Sequence, residues 1–225
     1  MKRIRTLLVK FDAEGKAVPI GAFRGGIANK AGLENKMFHN HLDNHSYDYG
    51  YPLIQYKRIK GQPSILFLGE GVDEAYRIFS KPDIGVDILG KKMSLKIDEL
   101  NLRTEEVGPN GQIRCYELTG WLALNEQNLR NYRMLTDTEE RSRFLERMLV
   151  GNILAFAKGI YYHIEDRISV KITKVLAERP VQFKSIPVVS FDIEFITNMH
   201  LPDALGLGKG VSIGYGILNQ KTIFS

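Results

Sequence analysis

Three of the five histidines fall within seven residues, His39-Asn40-His41-Leu42-Asp43-Asn44-His45. Imidazole is the side chain whose ordinary pKa lets it gain and lose protons near neutral pH. Two imidazoles side by side can divide the work of a general acid and a general base. Tyr47, Tyr49 and Tyr51 follow, and Lys57 lies on the next predicted strand. The same residues admit other readings. His39, His41, Asp43 and His45 are a candidate metal-ligand set, although no cysteine and no helical histidine pair joins them. A surface loop without chemistry is a further alternative. The tripeptide His39-Asn40-His41 also spells a pattern tied to metal-dependent nucleases. Those sites are defined by widely spaced residues in a ββ-metal-helix fold, not by adjacent letters.

A second feature lies near the C-terminus. Gly206-Leu207-Gly208-Lys209-Gly210-Val211-Ser212-Ile213-Gly214-Tyr215-Gly216 holds five glycines and one lysine. Glycine is costly to order and is used where backbone must approach something closely or take positive φ. Successive backbone N–H groups in such a loop can cradle an anion, and a lysine adds charge. The loop points toward phosphate. It lacks the Gly-x-x-x-x-Gly-Lys-Ser/Thr spacing of a nucleotide-binding loop, and it does not open a long helix after a strand as a dinucleotide fold requires. No Gly-x-Ser-x-Gly elbow and no recognisable carboxylate pair appears.

These residues must be positioned by a chain of 225 residues, 44% hydrophobic and 25% charged, with a net charge of +5. Its sequence pI is about 9.2. The composition is that of a globular protein, with room for one large domain or two small ones. A modest basic excess is compatible with a polyanionic partner without identifying one. Cys115 is the only cysteine, which rules out an intrachain disulfide and points to a reducing compartment. The apolar run Leu7-Leu8-Val9 is too short for a signal peptide, and no run approaches a membrane span. A soluble, cytoplasmic protein without membrane contact is expected.

Arg3 to Phe11 reads as a strand. Pro19 then precedes Ile20, Phe23, Ile27 and Ala31, whose spacing predicts a helix. Gly25 and Gly26 inside it each cost about 1 kcal/mol relative to alanine. Either another element crosses there, or a substrate backbone or the glycine-rich loop approaches. Lys36 to Gly50 reads as irregular. Tyr51 to Lys60 and Ser64 to Leu68 read as strands joined by Gly61-Gln62-Pro63, and Val72 to Phe79 as a short helix. Leu95 and Ile97 alternate, and the phase then shifts to Leu100 and Leu102, which predicts a bulge near Asp98. The order strand, helix, strand, strand, helix, strand matches the ferredoxin-like motif.

Gly108-Pro109-Asn110-Gly111 reads as a turn, either a domain boundary or the tip of a hairpin. Arg114 to Leu124 is a further strand. Thr136 and Glu139 have capping-box spacing. The helix behind them carries Leu145, Met148, Leu149, Ile153, Phe156 and Ile160 on one stripe, with Arg141, Arg143 and Arg147 on its solvated side. Ile168 to Thr173 and Val189 to Phe195 alternate as half-buried strands. A short helix or loop and a final strand follow. The fold class expected is α+β, with tandem ferredoxin-like (RRM-like) domains over residues 1–107 and 112–225 and a C-terminal glycine-rich loop. The repetition is of architecture, with no close internal repeat.

The run from Leu201-Pro202-Asp203 through Gly216 resembles the glycine-rich signature of the CRISPR repeat-RNA processing endoribonucleases, members of the repeat-associated (RAMP) superfamily. Trp121-Leu122-Ala123-Leu124-Asn125 and Phe38-His39-Asn40-His41, followed by Tyr51-Pro52-Leu53-Ile54-Gln55-Tyr56-Lys57, resemble the variant typical of type I-B systems. The resemblance spans most of the chain.

It implies ferredoxin-like folds and cleavage of a long CRISPR precursor RNA within its repeats. The implied reaction uses no metal and no cofactor: the ribose 2′-hydroxyl attacks the adjacent phosphate and expels the 5′-oxygen. The products would be a 2′,3′-cyclic phosphate and a 5′-hydroxyl. His39 and His41 match the catalytic His-x-His. Lys30 is the candidate cation for the phosphorane charge, and Tyr47, with Tyr49 as rival, is the candidate orienting group. His163 and His200 are assigned no role. Lys209 and then Arg24 are the candidate RNA contacts, with Gly206, Gly208, Gly210 and Gly214 shaping the loop. Precursor RNA is the implied partner. Other CRISPR effector subunits and a second copy of the chain are further candidates. The competing class is a non-catalytic RNA-binding subunit of an effector complex, which has no need of two clustered imidazoles.

Overall fold

The computed structural model describes residues 1–12, 18–32, 34–39, 50–80 and 84–221. Two compact units divide the chain: one of residues 3–105 with 212–214, the other of residues 1–2, 106–211 and 215–225. Among the described residues no helix is long and apolar enough to cross a membrane.

The N-terminal unit runs β1 (Lys2–Asp12), α1 (Ile20–Ala31), the single turn α2 (Lys36–His39), β2 (Ile54–Ile59) and β3 (Gln62–Leu68). A 3-10 segment (Gly69–Ala75), α3 (Tyr76–Phe79), the hairpin β4 (Gly85–Ile88) and β5 (Lys91–Ser94), and the first part of β6 (Lys96–Trp121) complete it. Its sheet order is β2-β3-β1-β6. That is the ferredoxin-like order, with β6 as the fourth strand. Alternation sends Leu7, Val9, Phe11, Ile54, Tyr56, Ile65 and Phe67 to one face, where they join Phe23 and Ile27 of α1 in the core. Phe23 meets Phe11 and Tyr56 edge-on at 5.8 and 6.0 Å.

Several local expectations shift. The β2–β3 turn is Lys60-Gly61, both at positive φ, with Ile59 paired to Gln62. Pro63 therefore sits within β3. Asp98 lies within the single long strand Lys96–Trp121. Ile97, Leu100 and Leu102 are all exposed, so their phase change follows no buried face. These residues belong to the last strand of the N-terminal sheet, tied to β1 through Lys10–Glu99 and Thr6–Glu105. The β4–β5 hairpin is an addition to the motif. It turns at Leu89-Gly90, and the Gly90 amide donates to Asp87 Oδ1 at 2.8 Å.

The C-terminal unit opens with the rest of β6. It continues through α4 (Glu126–Met134), α5 (Thr138–Gly159), β7 (Val170–Phe183), β8 (Ile186–His200) and β9 (Ile217–Lys221). Its order β9-β6-β8-β7 repeats the ferredoxin-like arrangement. Residues 201–216 run as turns and bridges where the motif would carry its second helix. Gly108-Pro109-Asn110-Gly111 is not a reversal. The strand passes through it, with both glycines at positive φ and the pairing to β8 interrupted between Pro109 and Arg114. The α5 cap lies one residue beyond Thr136: Asp137 accepts the Glu140 amide at 2.8 Å. Leu145, Leu149, Ile153 and Phe156 of α5 are buried. Trp121 spans the core, its ring 6.1 Å from Phe191 and its Nε1 donating to Asn152 Oδ1 on α5 at 2.8 Å.

Candidate active site

His39 is the last residue of α2. A four-residue helix does not form unaided, because nucleation costs more than its few hydrogen bonds return. Asn35 supplies the missing stabilisation as the N-cap residue: its Oδ1 accepts the Met37 amide at 3.0 Å and its carbonyl the Phe38 amide at 3.2 Å. Phe38 anchors the turn from below, buried and edge-on to Phe67 at 6.3 Å. The Phe38 carbonyl accepts the Tyr56 hydroxyl at 3.4 Å. Above these contacts stands His39, half-buried, with its carbonyl accepting the guanidinium of Arg24 from α1.

Tyr56 joins this turn to the glycine-rich segment. Its backbone amide donates to the Ser212 carbonyl at 3.4 Å, and it pairs in parallel with Ile213. Gly214 completes the approach, 3.5 Å from Ile20 at the start of α1 when measured from the Cβ it lacks. Residues 212–214 are thus bound to the unit that carries His39. Burial pushes the Tyr56 phenol above its ordinary value, and the nearby Arg24 charge pulls the other way. The net rise keeps it neutral, as a donor to Phe38 must be.

Lys30 lies in the last turn of α1, where its ammonium donates to the Gly85 carbonyl at 3.2 Å. It stands six positions after Arg24, so the two leave the helix about 120° apart. Arg24 reaches the His39 turn and Lys30 reaches β4. His41, Tyr47, Tyr49 and His45 lie outside the described residues, as does Asp43 of the alternative metal set. Among the described residues no three His, Cys, Asp or Glu side chains are grouped to hold a metal ion. His200 ends β8, its pKa lowered by burial and by the Arg114 charge.

The remainder of the glycine-rich segment is built on the C-terminal unit. Gly208, Gly210 and Gly216 adopt positive φ, as does Gly214, whereas Gly206 does not. Gly206 is buried and bridges Ile217. A Cβ on Gly208 would stand 2.7 Å from the Trp121 ring, and one on Gly210 2.7 Å from Phe183. Between them Lys209 donates its amide to the Leu122 carbonyl at 3.1 Å and leaves its side chain exposed.

Asn35, Tyr56 and Lys57 have no assigned role in the sequence reading. Asn35 carries a faint signal, a capping residue type directly before Lys36-Met37-Phe38. Tyr56 is one member of an alternating strand, and nothing in that pattern marks it as the link between two segments.

The Cas6b N-terminal domain model matches residues 2–106 and the Cas6b C-terminal domain model residues 108–221. A crystal structure of Cas6b is 32% identical and superimposes with a TM-score of 0.82, over 98% of this chain and 100% of that one. A crystal structure of the CRISPR RNA processing endoribonuclease Cas6b is 28% identical, with a TM-score of 0.69 over 98% and 100% of the two chains. An uncharacterized protein of Methanocaldococcus jannaschii is 33% identical over 116 residues, 51% of this chain and 78% of its own length. Both halves of one family description are matched in order, and a solved member follows nearly the whole chain: this protein belongs to the Cas6b family.

Proposed function

We propose that the chain is a CRISPR RNA processing endoribonuclease that cleaves precursor RNA within its repeats, in the cytoplasm and without a metal ion. The observation that carries this reading is the His39 turn, capped by Asn35 and bonded by Arg24, in a chain of the Cas6b family. A ribose hydroxyl is a weak acid. One imidazole of the His39/His41 pair takes its proton as the oxygen attacks the adjacent phosphorus. The phosphorane gathers negative charge, which a cation offsets, with Lys30 in that role and Tyr47 orienting the reacting groups. The second imidazole protonates the departing 5′-oxygen. A 2′,3′-cyclic phosphate and a 5′-hydroxyl remain. Lys209, held out between Gly208 and Gly210, contacts the RNA backbone. Residues 1–107 carry the histidine cluster and residues 112–225 the glycine-rich loop. Processed RNA passes to effector subunits, and a second copy of the chain is a further partner.

The test is cleavage of cognate repeat RNA in EDTA. Cutting should persist and give cyclic-phosphate ends, and it should stop when the ribose at the break carries no 2′-hydroxyl. Replacing His39 and His41 together with Ala should remove most activity. Full cutting by that double variant would refute the assigned site. Tight binding without cutting by the parent chain would favour an RNA-binding subunit.

A further inference from the structure

Asn35 is a buried polar residue, 9% exposed. Buried polar groups must find partners, and Asn35 finds one for each of its hydrogen-bonding ends. Its amide donates to the Gly32 carbonyl at 3.1 Å, and its carbonyl and Oδ1 accept the Phe38 and Met37 amides. Its remaining end, Nδ2, donates to the carboxylate of Glu74. Glu74 also accepts Arg77 Nε at 2.6 Å. The carboxylate makes both bonds charge-assisted, and so stronger than neutral ones.

The far side of this contact is rigid. Glu74 lies in the 3-10 segment Gly69–Ala75, which is seated on the residues just before β2. A Cβ on Gly71 would stand 2.9 Å from the Leu53 carbonyl, and that carbonyl accepts the Leu68 amide at 2.9 Å. The cap of α2 is therefore bolted to a fixed part of the N-terminal unit, four residues ahead of the histidine. Arg24 holds the other end of the turn.

We propose that Asn35 and Glu74 form a clamp that sets the place of His39, so that Asn35 is a positioning residue for the cleavage reaction. The inference rests on His39 acting in catalysis. An N-cap bond contributes about 1 kcal/mol, enough to shift the occupancy of a short turn several-fold. Neither Asn35 nor Glu74 is among the candidate RNA contacts, so the clamp is expected to act on the chemical step more than on affinity.

The experiment compares Asn35→Ala, Asn35→Asp, Glu74→Gln and the double variant N35D/E74Q, with His39→Ala beside them. It reads single-turnover cleavage at saturating repeat RNA, RNA Kd, and amide exchange at Met37 and Phe38 with α1 as internal reference. Asn35→Ala should slow cleavage about fivefold with Kd within about twofold, and should speed exchange at both amides. Asn35→Asp keeps the cap oxygen but sets two carboxylates together, and should slow cleavage as well. N35D/E74Q restores the bond with donor and acceptor exchanged, and should recover much of the rate. That rescue reads out even if Asn35→Ala folds poorly. Parent-like rate and exchange in Asn35→Ala, or a double variant no better than Asn35→Asp, would overturn the clamp while an inert His39→Ala leaves the catalytic reading standing. Parent-like cutting by His39→Ala would overturn the catalytic reading, and the clamp's role with it.

Discussion

Gly26 on α1 lies directly under the carbonyl of Asp87 on β4. A Cβ placed on Gly26 would stand 2.7 Å from that oxygen and 3.1 Å from the Ile88 side chain. A backbone oxygen cannot swing aside as a side-chain tip can, so Gly26→Ala must displace the β4–β5 hairpin or bend the helix. A loss of about 1–3 kcal/mol is expected. Gly25 beside it meets nothing within 4 Å. Gly25→Ala should instead stabilise the helix by up to about 1 kcal/mol. Denaturant unfolding of the two variants decides, and equal effects would show that the crossing does not govern Gly26.

That pair marks what local pattern can express. A 12-residue helix has a period, and the spacing of Phe23, Ile27 and Ala31 is visible in the chain. The chain alone leaves two accounts of these glycines open, and for Gly26 the crossing element is β4. The hairpin itself is illegible, since strands of four residues are too short for alternation to stand out. For the α5 cap the chain offers two frames, Thr136 with Glu139 and Asp137 with Glu140, and only geometry selects the second. The histidines announce themselves by type. Their supports do not, because Asn35, Arg24 and Tyr56 act through bonds to residues 15 or more positions away, except for the local cap. Buried Lys57 is the least legible of all, since a lysine in an alternating strand reads as solvent-facing.

Lys57 is fully buried, and its ammonium nitrogen has no hydrogen-bond partner among the described residues. Burial lowers its pKa from 10.5 to about 7. The unfolded chain holds the proton up to about 10.5 and the folded chain only up to about 7. Between these values the unfolded state binds more protons, so stability rises with pH there, and the burial penalty is full below about pH 7. Lys57→Met removes the charge and keeps the bulk. It should stabilise the protein, by a few kcal/mol more at pH 6.5 than at pH 9.5. Unfolding free energies of parent and variant at the two pH values give the difference directly. A gap that does not change with pH would mean that Lys57 is neutralised by a partner.

Gly216 carries two constraints at once. Its φ is 62°, and a Cβ there would fall 1.9 Å from the Leu207 carbonyl oxygen. The same pair is bonded, since the Leu207 amide donates to the Gly216 carbonyl at 2.8 Å. Gly216→Ala must break that closure and release the approach to β9, at a loss of several kcal/mol. Gly111, at φ 75° with nothing within 4 Å, is the matched control, and Gly111→Ala should cost about 1 kcal/mol through backbone strain alone. Thermal unfolding and limited proteolysis of residues 206–216 distinguish them. Equal losses would place the whole effect in φ.

Lys209 is presented by a backbone that has no freedom to withdraw it. Its amide is bonded to Leu122, and its neighbour Gly208 abuts the ring of Trp121, which α5 holds through Asn152. Arg24, the other candidate RNA contact, already has part of its guanidinium on the His39 carbonyl. A lysine that neutralises one phosphate releases counterions on binding, so its removal changes how affinity depends on salt as well as affinity itself. Lys209→Ala should flatten the slope of log K against log salt by about 0.7 on a single-stranded repeat and about 0.9 on a duplex stem. Lys209→Arg should leave the slope as in the parent. The comparison of slopes separates a lost phosphate contact from a distorted loop, because distortion weakens binding at every salt concentration by the same factor. A Lys209→Ala slope equal to the parent's would remove this residue from the RNA surface.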